Sequence, residues 1–172
     1  YVSSCPAGTT VDLQLQLLAD VSGSVDGTEF ALQRDGYVSA FNNGVVHSNI
    51  ESKPNGIAVQ FIYWSGDLNQ AIIVDWTHLC NDDDAINLAS IIAAAPRPFF
   101  DSGQTAPGSA INFGYPLFDT DFTGGKKVID VSGDGEENDG DDTSDARDAA
   151  LAVVDQINGI TIGDDDFVLT FY

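Results

Sequence analysis

Methionine is absent from this 172-residue chain, cysteine and histidine occur twice each, and six lysines and arginines face 27 aspartates and glutamates. Each scarcity removes a class of function. At a formal net charge of −21 the surface repels nucleic-acid phosphates and anionic lipid, so no nucleic-acid partner is expected. No apolar run is long enough to span a bilayer, which argues against direct membrane insertion. Cys5 and Cys80 come with no second Cys-x-x-Cys and no nearby histidine, and so do not outline a zinc site. His47 reads as a loop residue and His78 as the end of a strand, both surface positions. No Gly-x-Ser-x-Gly elbow and no Gly-x-x-x-x-Gly-Lys phosphate loop is present. The chain is therefore not expected to be an enzyme. It begins at Tyr1 rather than Met, which suggests a trimmed precursor or an artificial boundary. The lack of methionine has no physical explanation here.

What is present is enough to fold. Hydrophobic residues make up 43% of the chain, far above the level of a disordered acidic tail, so the excess charge belongs on the surface of one domain. That charge favours divalent cations, basic partners or a salty medium, with solubility alone as the simpler account.

Val11 to Ala19 alternates polar and apolar before turning fully apolar, as a strand entering the middle of a sheet does. Asp26 to Asn43 reads as a helix with Phe30, Leu32, Tyr37, Val38 and Phe41 facing the core. Gly56 to Trp64 and Asn69 to Leu79 read as a hairpin, with Tyr63 and Trp64 as packing residues. A helix carrying Ile86, Leu88, Ala89, Ile91, Ile92 and Ala95 then starts at Asn81, where Asp82, Asp83 and Asp84 suit its positive end, and Pro96 stops it. Pro107 to Phe118 is a further helical pattern and Lys126 to Val131 a buried strand. Thr143 to Asn158 reads as the clearest helix, through Ala146, Ala149, Ala150, Val153, Val154 and Ile157, with Ile160 to Ile162 as a short strand after it. Strands alternating with helices imply an α/β, doubly wound, mostly parallel sheet with one antiparallel hairpin strand and helices on both faces.

In such sheets, sites form beyond the carboxyl ends of the strands. Asp20-Val21-Ser22-Gly23-Ser24 stands there, offering a carboxylate and two hydroxyls at two-residue spacing, a hard, all-oxygen donor set. The simpler account makes Ser22 and Ser24 helix caps and Asp20 a partner of loop amides. The turn-rich loop from Gly103 to Ser109 adds the Thr105 hydroxyl, and the strand ending at Gly133 runs into an acidic loop at Asp134. The run from Asp134 to Asp142 does not fit an EF-hand, because Gly135 stands five residues before Gly140 where an aspartate is required. Phe99, Phe100 and Phe113, near the Thr105 loop, read as buried rather than as a rim.

In this order and context the three segments resemble the von Willebrand factor type A domain, with wording around Asp134 closest to a bacterial branch. That family's metal-ion-dependent adhesion site (MIDAS) combines DxSxS, a distant Thr and a distant Asp. Carried over by position, the resemblance implies metal ligands Asp20, Ser22, Ser24, Thr105 and Asp134, with Mg²⁺ expected and Mn²⁺ or Ca²⁺ as alternatives. It also implies a coordination position left for a partner's carboxylate, hence a secreted or cell-surface, metal-dependent protein-binding module. A self-assembling subunit of an extracellular fibre or surface array is the alternative. Residues 1–10 read as an amino-terminal extension and 11–172 as the domain. The family pattern calls for one more strand and a closing helix, for which Phe167 to Tyr172 offers either the strand or a linker. Cys5 precedes the first strand and Cys80 follows the hairpin, so a disulfide pinning the extension is expected, against the alternative of two unrelated thiols.

Overall fold

The computed structural model describes Cys5 and residues 8–98 and 103–162. Five strands, β1 (Leu13–Asp20), β2 (Ile57–Trp64), β3 (Gln70–Leu79), β4 (Lys126–Gly133) and β5 (Gln156–Thr161), form one sheet in the order β3-β2-β1-β4-β5. β1 runs parallel to both β2 and β4, β4 is parallel to β5, and only β3 is antiparallel to its neighbour. The expected α/β, mostly parallel sheet with one hairpin strand is therefore the observed one. The register sets Asp20 beside Trp64 and Ala19 beside Ser132, so β1, β2 and β4 all end at the same edge.

Helices α1 (Gly27–Phe41), α2 (Gly44–Glu51) and α3 (Asp82–Ala94) bury Phe30, Phe41, Ile50, Leu88 and Ile92 against Leu17, Val59, Phe61 and Tyr63 on one face. On the other face, α4 (Pro107–Gly114) and α5 (Thr143–Ala150) bury Ile111, Ala146 and Ala150 against Leu18, Ile62, Trp64 and Ile129. Both sides of the sheet are thus removed from water, as a mainly parallel sheet requires. Tyr63 and Trp64 are fully buried packing residues. Gln14 and Gln16, on β1, are also fully buried. Gln16 donates to Gln60 Oε1 at 2.8 Å and to the Gly114 carbonyl at 2.9 Å, and Gln14 donates to the Gly124 carbonyl at 3.1 Å. The early alternation of β1 therefore marks an internal polar layer rather than a wet face.

Several local expectations need correcting. The first helix ends at Phe41, and Asn43 caps a separate α2 by accepting from Val45 N at 2.8 Å. His47 consequently lies on a helix. Leu32 is 63% exposed while Gln33 turns inward, and Ile86 and Ile91 stay at the surface, with Ala85 taking the inner side of α3. Pro116 follows α4 and the chain tightens into a 3-10 turn, Tyr115–Phe118, instead of continuing as an α-helix. The largest error is α5, which stops at Ala150. Val154 reaches the core from the turn beyond it, Asp155 N donates to the Lys127 carbonyl, and Ile157 belongs to β5. The three acids lie in the first turn of α3 behind the cap Asn81, as read. Phe99, Phe100 and the segment Phe167 to Tyr172 fall outside the described residues.

Cys5 and Cys80 form a disulfide with Cα atoms 5.2 Å apart, tying the extension to the segment between β3 and α3. A histidine does lie nearby: the His78 ring has a nitrogen within 4.8 Å of both sulfurs. It was hidden because residues two apart on a strand share a face, a proximity that a search for Cys-x-x-Cys does not see. Among the described residues, no helix is long and apolar enough to cross a membrane.

Candidate metal centre

β1 delivers Asp20 at its last position, and the chain then needs six residues to turn into α1. Asp26 starts that helix. Its carboxylate accepts from Thr28 N at 2.6 Å and Glu29 N at 2.9 Å, while Glu29 returns a bond to Asp26 N at 2.8 Å. This capping box satisfies the free amides of the first turn, so Ser22 and Ser24 are not caps. Their hydroxyls face one another at 3.0 Å. Ser24 donates to Asp134 Oδ1 at 2.7 Å, and Thr105 donates to Ser22 Oγ at 3.2 Å. The structure thus brings together all five residues named from the sequence. Asp20, Ser22 and Thr105 form a buried floor, Asp134 a half-buried side and Ser24 an exposed lip.

The second loop is held by pairings the sequence did not suggest. Thr105 N donates to Asn138 Oδ1 and Asn138 N to the Thr105 carbonyl, each at 3.0 Å, and Ala106 N donates to the Ser65 carbonyl at 2.9 Å. Asn138 lies inside the acidic run, where nothing distinguishes it from a solvated loop residue. Gly23 N reaches the Gly103 carbonyl at 2.7 Å, and a Cβ on Gly23 would lie 2.7 Å from that oxygen. A glycine is therefore needed at that point of the DxSxS segment for the two loops to touch. Below the site, Gln33 donates to the Asp20 carbonyl at 2.7 Å and accepts from Ser132 Oγ at 2.5 Å. Tyr37 meets the same hydroxyl at 3.0 Å.

Asp20 is fully buried. One oxygen, Oδ1, accepts from Ser22 N at 2.7 Å; the other, Oδ2, has no partner among the described residues. Burial pushes this carboxyl up to about 7, against the lowering effect of the Ser22 bonds, with the nearby Asp134 charge adding to the rise. Asp134 is also raised, first by burial, with the Ser24 bond opposing. Two carboxyls held above their ordinary range beside three hydroxyls, one with an unsatisfied buried oxygen, hold their protons for want of a compensating positive charge, which a hard cation would supply. The donor set therefore fits a divalent ion held by oxygen. His47 Nε2 bonds the Phe41 carbonyl and His78 Nε2 the Asn55 carbonyl, both at 2.7 Å. His78 pairs in register with Ala58, at the opposite end of the sheet from Asp20.

The model of a family described as "Protein of unknown function (DUF1194)" matches residues 10–171. No curated protein sequence matches the chain. Among solved structures, it is similar to an aerotolerance-related membrane protein from Bacteroides fragilis carrying multiple mutations to serines, with a TM-score of 0.64 and 19% identity over 90% of this chain and 69% of that one. It is equally similar to proximal thread matrix protein 1 from the mussel byssus with a zinc-occupied MIDAS motif, with a TM-score of 0.64 and 14% identity over 90% of this chain and 38% of that one. The vWF domain of the type V pili tip protein Mfa5 from Porphyromonas gingivalis gives a TM-score of 0.50 and 16% identity over 74% of this chain and 39% of that one. The chain thus spans well under half the length of the mussel and pilus-tip chains. At such identities the likeness concerns the fold, which is that of the von Willebrand type A domain.

Proposed function

This chain belongs to the DUF1194 family, a von Willebrand type A-like family, and we propose that it is an extracellular protein-binding module that captures an acidic side chain through a divalent cation. The observation that carries this reading is Asp20 Oδ2, a buried carboxylate oxygen with no partner among the described residues, beside a chain of three bonded hydroxyls, Thr105–Ser22–Ser24, that runs on to Asp134. Asp20, Ser22, Ser24, Thr105 and Asp134 would hold the ion, some of them through water, since Mg²⁺ keeps part of its hydration. When bound, the cation supplies a Lewis-acidic position open to a partner's carboxylate. The chain's residues do the rest: the hydroxyl floor fixes the donors, and the exposed lip at Ser24 leaves access from outside.

Mg²⁺ suits two carboxylates and three hydroxyls in a small cup, with Mn²⁺ or Ca²⁺ as alternatives. Zinc in the mussel protein's MIDAS motif supports a divalent ion without selecting among these. Binding rather than turnover is favoured because both histidines are engaged with backbone carbonyls away from the site. The disulfide suits an oxidising compartment, and the matrix and pilus-tip proteins that share the fold support a place outside the cell. Calorimetry with Mn²⁺ and Mg²⁺ tests the reading. One ion per chain is expected, followed by uptake of an aspartate- or glutamate-bearing peptide only in its presence. A peptide that binds equally well in chelator would remove the metal from the function.

Assembly of identical copies into a fibre or array is a second reading, favoured by β5, which has no strand on its outer side among the described residues. Carboxylates on one copy would then meet the ion of the next, and light scattering with and without millimolar Mg²⁺ separates the two. A monomer in both conditions leaves the binding module alone.

A further inference from the structure

Arg97 is the only lysine or arginine between Lys53 and Lys126. It follows α3 and stands between Pro96 and Pro98, so its backbone is restricted from both sides. Its side chain is half-buried and crosses to the metal loop. There a single guanidinium nitrogen, Nη2, donates to three carbonyls: Val21 at 3.1 Å, Ser22 at 2.8 Å and Val25 at 2.8 Å. The guanidinium carbon sits 5.5 Å from the centre of the Phe30 ring, which stacks it from the α1 side. Val21, Ser22 and Val25 are all buried, so these carbonyls need donors inside the protein.

We infer that Arg97 is the positioning residue of the metal loop: by binding three inward carbonyls of residues 21–25 it keeps the Ser22 and Ser24 hydroxyls free to face the cation. Without it those buried carbonyls would need other donors, and a loop serine hydroxyl turned back to a carbonyl would be withdrawn from the site. Among the described residues, Arg97 donates to backbone carbonyls of the loop, while its charge reaches Asp134 and works against the burial that raises that carboxyl. It acts from behind the loop, while the Gly23–Gly103 contact closes the loop from the other side. An arginine suits the task better than a lysine because its planar, pre-organised head can stack on Phe30 and still donate to several carbonyls.

This inference rests on the proposed metal site, so its test has two arms. In the first, Mn²⁺ affinity is measured by calorimetry for the wild type, Arg97→Met, Arg97→Lys and Arg34→Met. Arg34 is the matched control: it lies over the same Phe30 ring at 5.8 Å but pairs with Asp35 instead of the loop. Arg97→Met is expected to lose about 10–100-fold in Mn²⁺ affinity, the usual cost of removing a residue that orients metal ligands. Arg97→Lys should recover part of that loss, and Arg34→Met should stay within about twofold of wild type. In the second arm, amide hydrogen exchange in chelator follows residues 21–25 without any metal. Exchange there should rise about tenfold or more in Arg97→Met and not in Arg34→Met. Equal effects of Arg97→Met and Arg34→Met in both arms, or unchanged affinity with unchanged exchange, would overturn the role. So would a failure of both Arg97 variants to fold, because Arg97 would then serve the fold at large. If the wild type binds no Mn²⁺ yet Arg97→Met alone loosens the loop, the metal reading fails and the loop contact stands.

Discussion

The two ends of β1 carry an aspartate each, and the two side chains live in opposite circumstances. Asp12, just before the strand, accepts from Asn55 N at 2.9 Å and from Asn55 Nδ2 at 3.1 Å, and those bonds hold its carboxyl below the usual range. Asp20, at the other end, is fully buried, keeps one oxygen without a partner among the described residues, and is pushed up to about 7. Around Asp12 the sheet end is closed by polar bonds and, at β3, by the Cys5–Cys80 disulfide. Around Asp20 three loops stop short of satisfying the carboxylate. One strand thus supports an end closed by polar bonds and an end that leaves a buried carboxylate oxygen unsatisfied among the described residues, and the difference is what motivates the proposed site.

Replacing each aspartate by alanine breaks the comparison most sharply. Asp20→Ala should reduce Mn²⁺ affinity by about 100-fold or more, since it removes one of only two carboxylates in the proposed site, whereas Asp12→Ala should leave affinity unchanged within about twofold. Calorimetry on both proteins decides it. At the finished end, the paired substitution Cys5→Ser with Cys80→Ser opens a loop spanning 75 residues. It should cost about 4 kcal/mol of unfolding free energy in the chain-entropy account while Mn²⁺ affinity is retained. Denaturant titration gives the first quantity and calorimetry the second. At the unfinished end, saturation at a hundred times the dissociation constant should add about 2.7 kcal/mol, read as a shift of the same denaturation midpoint.

The most gradual effect is a slope with pH. Asp20's folded value, about 7, lies above the ordinary aspartate value of 3.8. The folded protein therefore holds a proton that the unfolded chain has already released between those values. In chelator, stability should fall as pH rises from about 4 to about 7, by at most about 1.4 kcal/mol per pH unit from this one group, and flatten above that. Asp12 contributes with the opposite sign: its stabilisation is present above its unfolded value and is lost as pH falls through its lowered folded one. Saturating metal should abolish the Asp20 decline and leave the Asp12 branch. A chelated protein whose stability rises steadily from pH 4 to 7 would contradict the burial of an unpaired Asp20.

The strands, and the gathering of Asp20, Ser22, Ser24, Thr105 and Asp134 at one end of the sheet, were legible because both follow simple rules. Buried parallel strands are apolar runs, and sites in such sheets gather where those runs end. The helix boundaries were less legible. Val153, Val154 and Ile157 continue the helical spacing of Ala146 and Ala150, yet in the fold they fill a turn and a strand, because apolar side chains can reach one core from either conformation. Asn43 is a readable cap, masked in the sequence by the apolar pattern that continues on either side of it. What holds the site is least visible of all. Gln33, Arg97 and Asn138 act through backbone carbonyls and amides of residues far along the chain, and no periodicity or motif marks such a side chain. Asp20's solitude is likewise a property of its surroundings, since its motif would look the same with both oxygens satisfied.

The most direct test of the account is a crystal structure of the protein soaked in Mn²⁺, with anomalous scattering used to place the ion. The account expects one strong peak in direct or single-water reach of Asp20 Oδ2 and of the Ser22, Ser24, Thr105 and Asp134 oxygens. A peak confined to the acidic run after Asp134, or none at a concentration that saturates calorimetric binding, would contradict the claim that Asp20 was left unpaired for a cation.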